Sequence, residues 1–386
     1  MRIGIFTETF LPQVNGVVTA ICGLSGELEK LGHHVFIFTT AVKGEPARDR
    51  HGDAEVYRFP AMQMPKYPEY RFFLPGPKAW GIMRNCRLDI LHSRSPFTMG
   101  IIAKMLADKT GRPLLGTLDT PIEDYVHYMP LGNKKPFSEL LFLTARKYAS
   151  WYYSMCDMVT TPTETTAARL RKMGCKSPVV AVSNGVDTDR FRPDLKADWI
   201  KKKHCPSGEA LALHLGRITA EKRVLDIIEA AHVLTEKGAK VKILVAGRGP
   251  LLPNVMEAAK GMSNVEFLGH LTPEDLHAYY ASADMFITAS PVETQGIVAL
   301  ESLASGTPVI APNAGALPEA VKDGKNGLLF TKGRPEELAK KIMWAAKNDF
   351  KKKVSKACVK SMEAHSMAGV GRKMEKLYVE MTGNGK

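Results

Sequence analysis

Apolar positions along this chain fall into short runs separated by stretches of helical period, and the arrangement occurs in two successive series. The run RIGIF (Arg2–Phe6) has no polar alternation, which reads as a strand buried on both faces. After it come a loop with Pro12 and Gly16, an amphipathic helix near Thr19–Leu31, Gly32 as its C-cap, and a second apolar run HVFIFTT (His34–Thr40). This is a βαβ opening. Further strands fit LDILHS (Leu88–Ser93), PLLGTL (Pro113–Leu118), MVTTP (Met158–Pro162) and PVVAVSN (Pro178–Asn184). The pattern then restarts with ALALHLG (Ala210–Gly216), KVKILVAG (Lys240–Gly247), NVEFLG (Asn264–Gly269), MFITAS (Met285–Ser290), TPVIAP (Thr307–Pro312) and GLLF (Gly327–Phe330). Helical stretches alternate with these runs throughout. Two parallel α/β series predict two Rossmann-like, doubly wound domains facing a cleft. The expected division is 1–190 and 191–386, with the polar segment Asp187–Glu209 as hinge and the last helix as a candidate to cross back to the first domain.

Length supports the division, because 386 residues exceed the size at which one core stops growing. No apolar run approaches the ~20 residues of a membrane span, and the short run before Glu8 is too brief for a signal peptide. A cytoplasmic protein is expected. The six cysteines are scattered without CxxC or metal-ligand spacing, so reduced thiols are expected. A formal charge of +13 asks for an anionic partner. Since residues 1–190 carry +6 and the remainder +7, neither half is a basic arm, and no nucleic-acid module signature is present.

The segment SPVETQGIVALESLASGTPVIAP (Ser290–Pro312) places Glu293 and Glu301 in otherwise apolar or small surroundings. In one continuous helix, E-x7-E would separate them by roughly 12 Å on different faces, so they are not a close acid/base pair. Thr294 is expected to cap a helix starting near Gly296, which leaves Glu293 in the loop and Glu301 inside the helix. The first N–H groups of that helix, around Gln295, Gly296 and Ile297, attract anions. Carboxylate, anion site, carboxylate suits a nucleotide-sugar, with hydroxyls at both ends and phosphate between.

HLGRITAEKRVLD (His214–Asp226) sets Arg217 directly after a strand beside Gly216, with Lys222 where a helix begins. Two cations there suit a diphosphate leaving group, Arg217 as a fork and Lys222 as a point charge. VAGRGP (Val245–Pro250) puts Gly247 and Gly249 around a strand end, as a tight turn or a base-binding wall. The first loop lacks GxGxxG, yet Gly16 before a helix lets a backbone N–H approach an anion. Asp187-Thr188-Asp189 matches DxD literally but lies in a turn-rich strand exit, so no metal is expected there.

Together PQVNGVVT, SPFTMG, EDYVHYMP, SNGVDTDRF, LGRITAEK and SPVETQGIVALESLASGTPVIA resemble the retaining glycosyltransferases of family 4, of GT-B fold, over nearly the whole length. The resemblance implies that Arg217 and Lys222 bind the donor diphosphate, Glu293 the transferred sugar, Glu301 the ribose and the Gly16 loop the phosphate. It places Arg94, Tyr125 and His127 on the acceptor side and implies neither metal nor cofactor, the nucleotide-sugar being a substrate. Where the family carries His-Thr, this chain has Asp119-Thr120, a carboxylate that accepts but cannot donate and would oppose charge growing on the diphosphate.

PAMQMPKYPEYRFFLPGP (Pro60–Pro77) and EDYVHYMP are similar to the branch that glycosylates membrane lipids. In Asn133–Met155, Lys134, Lys135, Arg146 and Lys147 interleave with Phe137, Leu140, Leu141, Phe142, Trp151 and Tyr152, as in an interfacial helix on an anionic membrane surface. The expectation is a retaining, metal-independent glucosyltransferase using UDP-glucose and a lipid acceptor such as diacylglycerol, peripheral on the inner face of the cell membrane. A GDP-mannose-dependent mannosyltransferase, a nucleotide-sugar 2-epimerase and a catalytically weak nucleotide-sugar-binding protein are the alternatives.

Overall fold

In a computed structural model, which describes residues 1–13, 15–64, 67–73, 75–122 and 137–383, the chain divides into two compact units. The first comprises Met1–Asn184 and Met367–Lys386, the second Gly185–Ser366. The charged segment Asp187–Glu209 belongs to the second unit rather than to a free hinge. Phe191 and Ile200 anchor it in that unit's core, and Asp198–His204 is helical.

The first unit is built on an eight-stranded sheet in the order Val179–Ala181, Met158–Thr161, Leu114–Thr117, Ile90–Ser93, Arg2–Phe6, His34–Thr40, Ala54–Phe59, Arg48–His51. All neighbours are parallel except the last pair. Its central strands are apolar without alternation because both faces are covered. Ile3, Ile5, Val35 and Ile37 face one cluster, while Phe6, Phe36 and Phe38 face the other. Each such side chain contributes roughly 1.5–3 kcal/mol by burial. Helices Gly16–Lys30 and Met367–Thr382 supply Ile21, Leu24, Leu28, Val370, Met374 and Tyr378 to the first cluster. They approach closely at Gly371, where a Cβ would meet Glu27 Cβ at 2.7 Å. The polar edge strand Arg48–His51, its partner Ala54–Phe59 and the two-stranded sheet Met62–Met64 with Tyr67–Phe72 were not anticipated.

The second unit holds a six-stranded parallel sheet in the order Val265–Gly269, Val241–Ala246, Ala210–Leu215, Met285–Ile287, Val309–Pro312, Gly327–Phe330. Its first strand in sequence, Ala210–Leu215, has Val241–Ala246 on one side and Met285–Ile287 on the other. The strand order therefore reverses between Ala210–Leu215 and Met285–Ile287. In doubly wound sheets ligands bind beyond the carboxyl ends of strands at such a reversal. The corresponding reversal in the first unit lies between Arg2–Phe6 and Ile90–Ser93.

Candidate functional site

The reversal in the second unit gathers most of the residues singled out for a donor. Beyond Ala210–Leu215 come Gly216, Arg217 and Lys222; beyond Met285–Ile287 comes Glu293. A Cβ on Gly216 would meet nothing within 4 Å, so its face is open to a ligand. Lys222 ends a short 3-10 turn, Ala220–Lys222, and its Nζ lies 2.5 Å from Glu293 Oε1. The carboxylate expected on the sugar side and the cation expected on the phosphate side are thus paired with each other, each partly buried. Arg217 is 65% exposed and pairs with Glu221 at 3.5 Å, an ion pair of little energy.

The helix after Glu293 runs Ile297–Ala304, and Gly296 at φ +78° is its N-cap, with no side-chain cap and no acidic residue in the first turn. Thr294 is therefore not the N-cap that the sequence suggested. The left-handed conformation is open to Gly without strain, and a Cβ there would also meet Leu317 at 2.9 Å. Gly296 has no side chain to cap the helix, and a helix N-terminus attracts anions. Glu301, in that helix, accepts from Tyr280 Oη at 2.9 Å. Burial pushes its carboxyl up to about 7 against the pulls of Tyr280 and Arg190.

Gly247 and Gly249 have a packing reason. A Cβ at Gly247 would fall 1.8 Å from Gly216 O, and one at Gly249 2.2 Å from Ile218 O. The VAGRGP turn lies flat on the turn carrying Arg217, closed by Ile218 N donating to Arg248 O at 2.9 Å. Asp187 Oδ1 accepts from the backbone N–H groups of Asp189 and Arg190, so DxD is a turn device. Among the described residues no group of His, Cys, Asp and Glu is placed to hold a metal ion.

In the first unit Gly16 is the first residue of Gly16–Lys30, whose N-cap Asn15 accepts from Val18 N. The helix starts earlier than expected. Asp119 is buried and accepts from Arg94 at 2.7 Å, and Arg94 also donates to Asn184 at 3.1 Å. This corrects two expectations. The carboxylate is not a bare charge, and Arg94 is held in an interior pair rather than presented to an acceptor. Burial pushes Asp119 up while Arg94 and Asn184 pull it down, leaving it raised. Tyr125 and His127 lie outside the described residues. His92 is fully buried between Tyr378 Oη at 2.7 Å and Thr117 Oγ1 at 2.6 Å, a structural role.

Sequence reasoning passed over three residues. Glu8 is buried and accepts from Met99 N at 2.7 Å, capping Thr98–Thr110 across the reversal. Asn184 completes the Arg94 pair. His214 stands as a lone polar residue in the apolar run ALALHLG, a signal that was legible.

Helix Phe137–Tyr153 buries Ala145, Ala149, Tyr152 and Tyr153. Tyr152 is therefore core, and half-buried Leu141 packs against the same cluster. On the opposite face Leu140, Leu143 and Trp151 are exposed, with Lys147 in the same stripe. Trp151 is 52% exposed, and Phe137 extends the patch. Lys134 and Lys135 lie outside the described residues. No helix among the described residues is long and apolar enough to cross a membrane.

Comparison with known proteins matches residues 14–190 to the family described as Glycosyltransferase Family 4 and residues 196–362 to Glycosyl transferases group 1. The chain is 37% identical to an alpha-monoglucosyldiacylglycerol synthase of Streptococcus pneumoniae over 86% of its own length and 75% of that protein. It is 28% identical to the protein of the same name from Acholeplasma laidlawii over 99% and 97%. Among solved structures, sucrose-phosphate synthase from Thermosynechococcus elongatus superposes with a TM-score of 0.76 at 19% identity, covering 99% of both chains.

Proposed function

Because this chain belongs to glycosyltransferase family 4, we propose that it moves glucose from UDP-glucose to the free hydroxyl of diacylglycerol, with retention of the α configuration. The observation that carries the reading is the Lys222–Glu293 pair at the reversal of the second sheet, in a chain with relatives named alpha-monoglucosyldiacylglycerol synthase. Lys222 and Arg217 stabilise the diphosphate as it gains charge, which makes a metal ion dispensable. Glu293, within reach of Lys222, accepts from a sugar hydroxyl. The bare start of Ile297–Ala304 receives phosphate oxygens, and the N-terminus at Gly16 is assigned to phosphate as well. Glu301 binds the ribose diol. A phosphate oxygen takes the proton of the attacking hydroxyl, so no separate carboxylate base is needed.

Diacylglycerol resides in a bilayer, and the exposed stripe of Phe137–Tyr153 supports docking there. Leu140, Leu143 and Trp151 enter the interface while Arg146 and Lys147 meet anionic headgroups on the inner face of the cell membrane. Exposed Phe142, stacked beneath Arg146 with the guanidinium 5.7 Å from the ring centroid, adds to the same helix.

The test is product analysis by mass spectrometry and NMR after incubation with UDP-glucose or GDP-mannose, with vesicles that contain or lack diacylglycerol. The expected product is an α-glucosyl lipid formed only when both substrates are present, undiminished by EDTA. Turnover of donor without lipid would identify an epimerase. Mannosyl lipid alone would replace glucose by mannose, and donor binding without any product would identify a binding protein. Changing Leu140, Leu143 and Trp151 to Ser should lower vesicle-dependent turnover while leaving binding of UDP unchanged.

A further inference from the structure

His214 is 2% exposed at the carboxyl end of Ala210–Leu215, on the reversal of the second sheet. Pairing with Met285–Ile287 runs through Ala212↔Met285 and Leu213↔Phe286 and ends there. Where that ladder ends, His214 Nδ1 lies 3.0 Å from the carbonyl oxygen of Ile287. A carbonyl only accepts, so Nδ1 carries the proton and donates. In a neutral ring Nε2 is then a lone pair in a fixed direction. Burial pushes the imidazole down to about 4, and the nearby charge of Lys222 pushes the same way, so the ring is neutral at physiological pH.

Nε2 has no hydrogen-bond partner among the described residues. It is not alone. Thr219 Oγ1, which follows the same strand, and Ser290 Oγ, which follows the neighbouring one, are also buried without a partner. Thr219 is the N-cap of Ala220–Lys222, yet its hydroxyl makes no capping bond. Buried polar atoms are nearly always satisfied; others without a partner lie elsewhere in the chain, Glu8 Oε2 and Asp119 Oδ2 among them, but these three follow two neighbouring strands at one sheet reversal. Their neighbours in sequence are the Lys222–Glu293 pair, whose charges both act on the His214 ring. An oriented acceptor beside that pair needs a donor. Phosphate oxygens at neutral pH offer none, whereas sugar hydroxyls do.

We propose that His214 Nε2 accepts a hydrogen bond from one hydroxyl of the transferred sugar, which makes His214 a specificity-determining residue for the donor. The proposal rests on the reading of this site as a nucleotide-sugar site. It differs from the role assigned to Glu293, because a neutral acceptor selects a hydroxyl without adding negative charge beside the diphosphate. A ring so hard to protonate is a hydrogen-bond acceptor and not a general base.

The test is calorimetric titration of the full chain with UDP, UDP-glucose and the four monodeoxy UDP-glucoses, using wild type, His214→Phe and His214→Gln. Phenylalanine keeps the ring and removes both nitrogens. Glutamine can donate from its amide to Ile287 O and accept through its oxygen. UDP should bind all three proteins within about twofold. UDP-glucose should bind His214→Phe about tenfold more weakly than wild type, the scale of one hydrogen bond to a site left unpaired, and His214→Gln should regain most of that loss. One monodeoxy sugar should bind wild type about tenfold more weakly than UDP-glucose, yet bind His214→Phe no worse than UDP-glucose does. Equal binding of UDP-glucose by wild type and His214→Phe would overturn the proposal, as would a wild type indifferent to every deoxy position. If His214→Phe does not fold, the deoxy series on wild type and His214→Gln decides. A wild type that binds no UDP-glucose at all would instead defeat the glucosyl reading, and the same series with GDP-mannose would then test His214.

Discussion

The two units share one winding scheme and place charge differently at their sheet reversals. In the first unit charge is met by charge inside the protein: Arg94 holds Asp119 and Asn184, and Glu8 caps a helix start. In the second unit Arg217 stands in solvent and Lys222 and Glu293 are partly buried. Buried polar atoms without a partner occur at both reversals, Glu8 Oε2, Arg94 Nε and Asp119 Oδ2 in the first unit and His214 Nε2, Thr219 Oγ1 and Ser290 Oγ in the second, but only in the first do they belong to charged side chains already paired through another atom. The first arrangement is what stability asks of buried charge, because removing one partner strands the other. The second arrangement, with charges less deeply buried, is the one that suits the proposed donor site. From sequence Asp119 was a carboxylate where an imidazole is expected, open to reading as a weakened site or as an adaptation to a different sugar; in the structure it is paired with Arg94.

The largest effect expected from breaking this contrast is at that pair. Asp119→Leu leaves Arg94 buried and uncompensated, and the denaturation transition of the first unit should lose about 3–5 kcal/mol. Asp119→His should suffer similarly, an imidazole being no counter-ion for a guanidinium. The double variant Asp119→Leu with Arg94→Met should recover most of the loss. An Asp119→Leu protein as stable as wild type would show that the pair does not hold the unit together. Next in size is Lys222→Ala, which should lower kcat/KM by roughly 10²-fold, about 2.7 kcal/mol, with a smaller loss of stability than at Asp119 because the pair with Glu293 is less deeply buried. A loss of stability with unchanged turnover would reverse the contrast between the units.

How much of this was legible follows from what each signal depends on. Unbroken apolar runs such as RIGIF and ALALHLG depend only on burial from both faces, and strands form at both, within a residue or two. The strand RDRH, by contrast, is polar because it is an antiparallel edge, so periodicity could not reveal it. Lys222 and Glu293 were legible as separate charges at strand ends, but their 2.5 Å contact joins positions far apart in sequence, and no spacing rule reports it. The same holds for Arg94 with Asp119, where sequence showed an acid in an unexpected place and only the fold supplied the base. At Gly247 sequence left a tight turn and a base-binding wall equally open, because a glycine after a strand carries no sign of what approaches it; here Gly216 O lies against it.

The smallest effect expected belongs to Glu301, and it sharpens the contrast by tying a buried charge in the second unit to a ligand rather than to a counter-ion. Its carboxyl is held up to about 7, above its ordinary value of 4.5, mainly by burial. The folded protein therefore keeps this proton between about 4.5 and 7 while the unfolded chain releases it, so stability falls as pH rises through that window. Glu301→Gln should be the more stable protein at pH 8 by about 1–2 kcal/mol, discounted from the full shift because the side chain is only partly enclosed. Below pH 4.5 the advantage should vanish. UDP should show the complementary behaviour, since two ribose hydroxyls donate best to the ionised carboxylate and their binding releases its proton. Wild-type affinity should gain severalfold between pH 6 and pH 8 relative to Glu301→Gln, whose remaining pH dependence reports the phosphate alone. Identical profiles for the two proteins would detach Glu301 from the ribose and leave its raised pKa as a consequence of burial alone.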